Sequence, residues 1–206
     1  MLYFIRIIPS FTHDYPAEGA RSLPLLKDIS NIARKWFFIW RTNVTEENRE
    51  RPWYTGMFMH TNKEGGFSLW LPEGWYQYEL KDGRRGVLFS PYPDDINTSI
   101  YAEKTKLKVK VKTDEDLAVI REAFHEAIKA LPGVEIEMLD ESLSSSINLF
   151  EAKYSFLDGD VRRKRWVKNI YWGRTQFVII AQGRTEEDYQ YWLPMLYNTM
   201  MTVKIM

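Results

Sequence analysis

Between Arg162 and Arg174 six basic side chains, Arg162, Arg163, Lys164, Arg165, Lys168 and Arg174, interleave with Trp166, Tyr171 and Trp172. Cations beside flat aromatic rings are what anionic surfaces and single-stranded nucleic acid favour. Arg162, Arg163, Lys164, Arg165, Trp166, Lys168 and Trp172 are therefore the candidate binding residues. On a strand, residues of equal parity share a face, so Arg162, Lys164 and Lys168 point one way and Arg163 and Arg165 the other. The lysines at 104, 106, 108, 110 and 112 alternate with Thr105, Leu107, Val109 and Val111 and predict a second basic strand. The competing reading is a long hairpin whose charges discourage edge-to-edge aggregation. Lys and Arg number 28 against 28 Asp and Glu, so the chain has no net field to draw in nucleic acid. That balance favours the solvating role, and it makes an acidic protein surface or a headgroup a better partner than nucleic acid.

Other chemistries find less support. His13, His60 and His125 are far apart, and the four-residue spacing of His60 and Glu64 falls in a turn rather than on a helix where it would converge on a metal. They read as surface histidines, and no metal is expected. The chain has no cysteine, and Ser142 and Ser144 to Ser146 lie in a polar loop without a glycine elbow or a nearby histidine. Asp94-Asp95, Asp140-Glu141, and Asp158 with Asp160 read as turn acids. Glu64-Gly65-Gly66 lacks the lysine and the strand-to-helix setting of a phosphate-binding loop. Neither a catalytic residue nor a cofactor emerges, and the alternative left to small-molecule chemistry is a binding protein or hydrolase with a pocket between sheet and helix.

The elements that must position these residues follow from periodicity. Leu26, Ile29, Ala33, Trp36, Phe37 and Trp40 fall at helical spacing, and the polar run from Thr42 to Arg51 then breaks the pattern. Residues 1–52 read as an N-terminal extension and residues 53–206 as the main domain. Trp36, Phe37 and Trp40 would form a large apolar patch if exposed, so they are expected against the domain, a second subunit or a membrane surface. From Trp53 the period becomes two, with strands expected at 53–59, 67–71, 75–80, 87–90 and 99–111, joined by turns at 62–66 and Asp82-Gly83. Thr113 with Asp116 predicts a capped helix whose stripe is Leu117, Ile120, Phe124, Ala127, Ile128 and Leu131, stopped by Pro132-Gly133. Strands follow at 134–139, 147–157, 161–172 and 175–181. Asp158-Gly159 marks a hairpin, and the apolar run Phe177 to Ile180 predicts cover on both faces. Thr185 with Asp188 opens a last helix, which Pro194 is expected to kink or restart. Tight turns make the strands antiparallel, so the fold class is α+β, one antiparallel sheet flanked by helices.

An interrupted apolar start, with Arg6 and Pro9, does not read as a secretory signal. The longest uncharged apolar run after it, Trp36 to Trp40, is far short of the roughly 20 residues a spanning helix needs. The expected location is cytoplasmic.

Phe67-Ser68-Leu69-Trp70-Leu71-Pro72-Glu73-Gly74-Trp75, an alternating strand ending in Pro-x-Gly-Trp, resembles the PsbP/Mog superfamily. The helix from 114 to 131, the long hairpin from 147 to 172 and the closing helix continue that resemblance across residues 67–206. It implies a three-layer α/β/α sandwich and a mainly non-enzymatic binding or assembly role. The implied partner is another protein, or a second copy of this chain. No catalytic residues come with it.

Overall fold

The computed structural model describes residues 56–80, 85–111 and 113–206. The expected helix with Trp36, Phe37 and Trp40, the boundary at residue 52, Trp53 to Thr55 and the Asp82-Gly83 turn lie outside the described residues.

Local chemistry sets the best-formed helix. The Thr113 hydroxyl accepts from the Asp116 N–H at 3.1 Å, and the Asp116 carboxylate accepts from the Thr113 N–H at 3.0 Å. Two of the amides a first turn leaves unpaired are thereby satisfied, and helix α1 runs from Asp114 to Lys129. Its acidic first turn also faces the positive end of the helix dipole.

The strands are β1 (Met57–Asn62), β2 (Phe67–Pro72), β3 (Tyr76–Tyr78), β4 (Gly86–Ser90), β5 (Ser99–Lys106), β6 (Glu135–Leu143), β7 (Asn148–Asp158), β8 (Val161–Trp172), β9 (Thr175–Gly183) and β10 (Lys204–Ile205). A second helix, α2 (Glu186–Met201), precedes β10. Among the described residues every pairing is antiparallel, as tight turns dictate. The strands form two sheets rather than the single one expected: seven strands in the order β3-β4-β5-β9-β8-β7-β6, and three in the order β1-β2-β10.

Alternation then builds three layers. On β9, Phe177, Ile179 and Ala181 enter one core with Phe67, Leu69 and Leu71 of the small sheet and Tyr189, Met195, Leu196 and Met200 of α2. Ile180 enters the other, with Ile120, Phe124 and Ile128 of α1 and Phe150, Ala152 and Tyr154 of β7. The large sheet is thus the middle layer, α1 covers one face, and α2 with the small sheet covers the other. Phe67 meets Phe177 edge to face at 5.1 Å across that second interface.

Several boundaries differ from expectation. The β7–β8 turn is Gly159-Asp160, one residue later, because Asp158 itself pairs with Val161 and Gly159 supplies the positive φ of 62°. β5 ends at Lys106, so Lys108 and Lys110 are not on a basic strand. Instead the Leu107 and Val111 N–H groups donate to Arg174 and Gly173 across the next turn. β6 runs on to Leu143, held by pairing with β7. α2 passes through Pro194 without a restart. Pro194 and Gln190 are both exposed, so the Gln190 carbonyl that loses its partner faces water.

Candidate functional site: the two faces of the basic hairpin

The β7–β8 hairpin brings the candidate basic residues together in sequence and divides them by parity. The register runs Asp158 to Val161, Ser155 to Lys164, Lys153 to Trp166 and Glu151 to Lys168. Opposite residues share a face, so Lys153, Glu151 and Ser155 stand beside Arg162, Lys164, Trp166 and Lys168 on the α2 side.

Three of the cations on that side, Arg162, Lys164 and Lys168, each meet a carboxylate of β6 or β7. Arg162 Nη1 lies 3.1 Å from Glu135 Oε1 and also donates to the Gly133 carbonyl at 3.1 Å. Lys164 Nζ lies 2.5 Å from Glu137 Oε1, a residue that reaches it because β6 shifts register between Ile136 and Met138. Lys168 Nζ lies 3.8 Å from Glu151 Oε2. Trp166 is the hub: its Nε1–H donates to Glu151 Oε1 at 2.5 Å, while Lys153 and Lys168 sit 4.2 and 5.0 Å from its ring centroid. Tyr197 of α2 closes the stack at 5.9 Å, leaving Trp166 buried. Asp140 pairs with Glu151 in the register and so shares this face. Four cations (Lys153, Arg162, Lys164, Lys168) therefore face four carboxylates (Glu135, Glu137, Asp140, Glu151), and the face is neutral. Trp172, at the far end of β8, packs against the core shared with α2.

Arg163 and Arg165 point to the opposite side, and both are buried. Arg163 Nε pairs with Asp158 Oδ2 at 2.7 Å and its Nη1 donates to Asn97 Oδ1 at 2.5 Å. Burial pulls its guanidinium below the usual value, with Asp158 opposing that shift. Arg165 donates through Nε at 2.9 Å, and through Nη2, to Gln182 Oε1. Its guanidinium lies 4.7 Å from the Phe156 ring centroid. Gln182 Nε2 in turn donates to the Asn97 carbonyl at 2.9 Å. The buried Tyr154 phenol beside Arg165 is pushed up by desolvation, with the guanidinium opposing.

A second polar network escaped the sequence reading. Asp188, read there as half of a capping pair, does accept Thr185 as its cap, the hydroxyl taking the Asp188 N–H at 3.1 Å. Its carboxylate turns elsewhere, accepting from Tyr92 Oη at 2.7 Å and from Thr98 Oγ1. Trp192 Nε1 donates to Tyr92 Oη at 3.1 Å, and Arg184 reaches from Asp188 at 3.9 Å to Asp95 at 3.8 Å. The network fastens the 91–98 loop to the start of α2. Only the Thr-x-x-Asp spacing hinted at it; Tyr92 and Thr98 lie some ninety positions away.

Other candidates scatter. Among the described residues no three His, Asp or Glu groups could hold a metal together, and no helix is long and apolar enough to cross a membrane. Ser144 Oγ donates to the Ile147 carbonyl at 2.7 Å, a turn bond. His60 corrects the surface reading: its ring packs edge to face on Phe89 at 5.1 Å, and burial lowers its pKa.

Four apolar side chains stay in water along the margin where α2 meets both sheets. Met59 and Trp70 are cross-strand partners on the small sheet, 59% and 43% exposed. The Trp70 N–H donates to Thr202 Oγ1, one residue beyond Met201. Met201 is 54% exposed and accepts from Lys168 Nζ at 3.4 Å, and Tyr197, 50% exposed, stacks near Trp166. The strip therefore joins the small sheet to the neutral face of the hairpin.

No protein-family model matches the sequence, and no curated protein matches it. Solved structures do. Cyanobacterial PsbP (CyanoP) from Synechocystis sp. PCC 6803 aligns with a TM-score of 0.53 at 13% identity, covering 73% of this chain and 92% of that one. LpqN of Mycobacterium tuberculosis, described as involved in cell envelope biogenesis, aligns at 0.50 and 13%, covering 73% and 90%. The Saccharomyces cerevisiae Ran-binding protein Mog1p aligns at 0.43 and 10%, covering 73% and 95%. At such identities likeness concerns architecture, and the described residues have the PsbP/Mog-like α+β fold that the Pro-x-Gly-Trp strand and the order of elements implied.

Proposed function

We propose that this chain is a non-enzymatic binding or assembly module whose partner is another protein, held on the strip formed by Met59, Trp70, Tyr197 and Met201 with the neutral face of β8 beside it. The observation that carries this reading is the exposure of those four side chains next to cations that already have carboxylate partners. Tryptophan, tyrosine and methionine are enriched at protein interfaces, and methionine adapts its shape to what it meets. A face whose charges cancel exerts little pull on nucleic acid, which needs unpaired cations to replace its counterions. Arg162, Lys164, Lys168 and Trp172 form the rim in this reading, Trp166 supports it from below, and Arg163 and Arg165 hold the hairpin in place.

Affinity capture with the full chain tests it. The expected outcome is that Trp70→Ala combined with Met201→Ala loses partners that the unsubstituted chain retains, with no change in melting temperature. Capture that is unaltered in the double variant contradicts the reading.

A further inference from the structure

The two edges of the large sheet are built differently. β3 has three residues, whereas β6 has nine and, among the described residues, pairs with β7 alone. Every residue of β6 is exposed except Met138, which is half-buried. A long open edge presents unpaired N–H and C=O groups and is a template for another strand. The register shift at Glu137 guards its first turn of pleat, but from Met138 to Leu143 the pairing with β7 is regular. Acidic residues would also guard such an edge. Glu141, however, is not a bare charge, because Arg121 of α1 grips it through Nε at 2.6 Å and Nη2 at 3.0 Å.

Register selects the partner. In an antiparallel pair, opposite residues share a face and touch. Two copies paired about Glu141 place Leu139 opposite the second copy's Leu143 at two equivalent positions, Asp140 opposite Ser142, and Glu141 opposite itself. Leu139 and Leu143 are 38% and 42% exposed in the single chain. The facing Glu141 pair has an Arg121 from each copy. Centring on Asp140 instead sets Leu139 against Glu141 and Asp140 against itself. Centring on Leu139 sets Met138 against Asp140 and Glu137 against Glu141. Of these three, the Glu141-centred register alone makes two apolar pairs, against the single Leu139–Leu139 pair of the Leu139-centred one, and gives each facing acid a cation or a hydroxyl.

We propose that the β6 edge is a homodimer interface, in which two chains pair antiparallel along residues 139–143 about Glu141 and merge their seven-stranded sheets into one. So short a ladder buries less than the roughly 1,600 Å² of a standard stable interface, so the dimer forms in a concentration-dependent way.

A chain with no cysteine makes the test direct. Sedimentation equilibrium on the full chain is expected to show the mean mass rising from 24.5 kDa towards twice that value across about two decades of concentration, and Leu143→Lys is expected to suppress the rise. A single-chain mass throughout overturns the proposal. Under mild oxidation, Glu141→Cys is expected to crosslink to itself severalfold faster than a control, Glu122→Cys, on exposed α1 surface. A mixture of Leu139→Cys and Leu143→Cys chains is expected to crosslink to each other faster than either does to itself. A dimeric mass without this crosslinking pattern places the interface elsewhere and equally overturns it.

Discussion

Lys164 and Arg165 are adjacent on one strand and carry the same charge, yet they belong to different parts of the molecule. Lys164 lies on the α2 side, beside an exposed carboxylate at the bulge of β6 and above the Tyr189 ring at 5.6 Å. Arg165 lies on the other side with 1% exposure, where Gln182 and the Phe156 ring replace its water. Arg162 and Arg163 repeat the contrast one pair earlier. The lesson is that a dense run of basic residues on a strand is not a basic surface. Alternation sends half of it into the protein, and the strands alongside neutralise the rest.

The contrast can be broken most severely at Trp166, where both sides depend on the same strand. Trp166→Ala is expected to cost about 3–5 kcal/mol, read from urea denaturation, because it empties a ring-sized space and takes the indole N–H donor away from the Glu151 carboxylate. Asp188→Ala comes next, at about 2–4 kcal/mol by the same measurement. It leaves Tyr92, Thr98 and Arg184 without their shared acceptor and frees the 91–98 loop that also reaches Arg163. Both losses should appear with little change in the urea dependence of the folding free energy if the transition stays cooperative.

A smaller effect separates the small sheet from the hairpin by pH. Burial against Phe89 lowers the His60 pKa, so the unfolded chain takes up this proton first as pH falls. The His60 contribution is therefore constant above about pH 6.5 and turns against the fold below it, at no more than about 1.4 kcal/mol per pH unit. His60→Phe is expected to remove that part of the slope between about pH 6.5 and 5 in urea midpoints. An unchanged slope would mean that the ring is solvated.

What could be read in advance divides along physical lines. α1 was legible because its cap, dipole complement and apolar stripe are local, all within Thr113 to Leu131. The β1–β2, β7–β8 and β8–β9 hairpins were legible because glycine marks their turns. The split into two sheets was not, since it depends on β2 packing against β9 across Phe67 and Phe177, residues 110 positions apart, and on β10, a pairing of two residues. For the site, parity correctly separated Arg162, Lys164 and Lys168 from Arg163 and Arg165. It did not tell which side was buried, and it did not reveal that Glu135, Glu137 and Glu151 would stand opposite the cations. Those contacts come from the β6–β7 register and its bulge. The exposed Trp70 was visible only as part of a strand motif.

The most direct check of the two-faced strand is equilibrium unfolding of Lys164→Met beside Arg165→Met, each of which removes one cation and keeps an unbranched side chain. Lys164→Met is expected to change stability by less than about 1 kcal/mol, because its partner Glu137 can return to water. Arg165→Met is expected to cost about 2–4 kcal/mol, because Gln182 is left buried beside an apolar chain. Equal losses at the two positions would contradict the division of β8 into a structural face and a surface face.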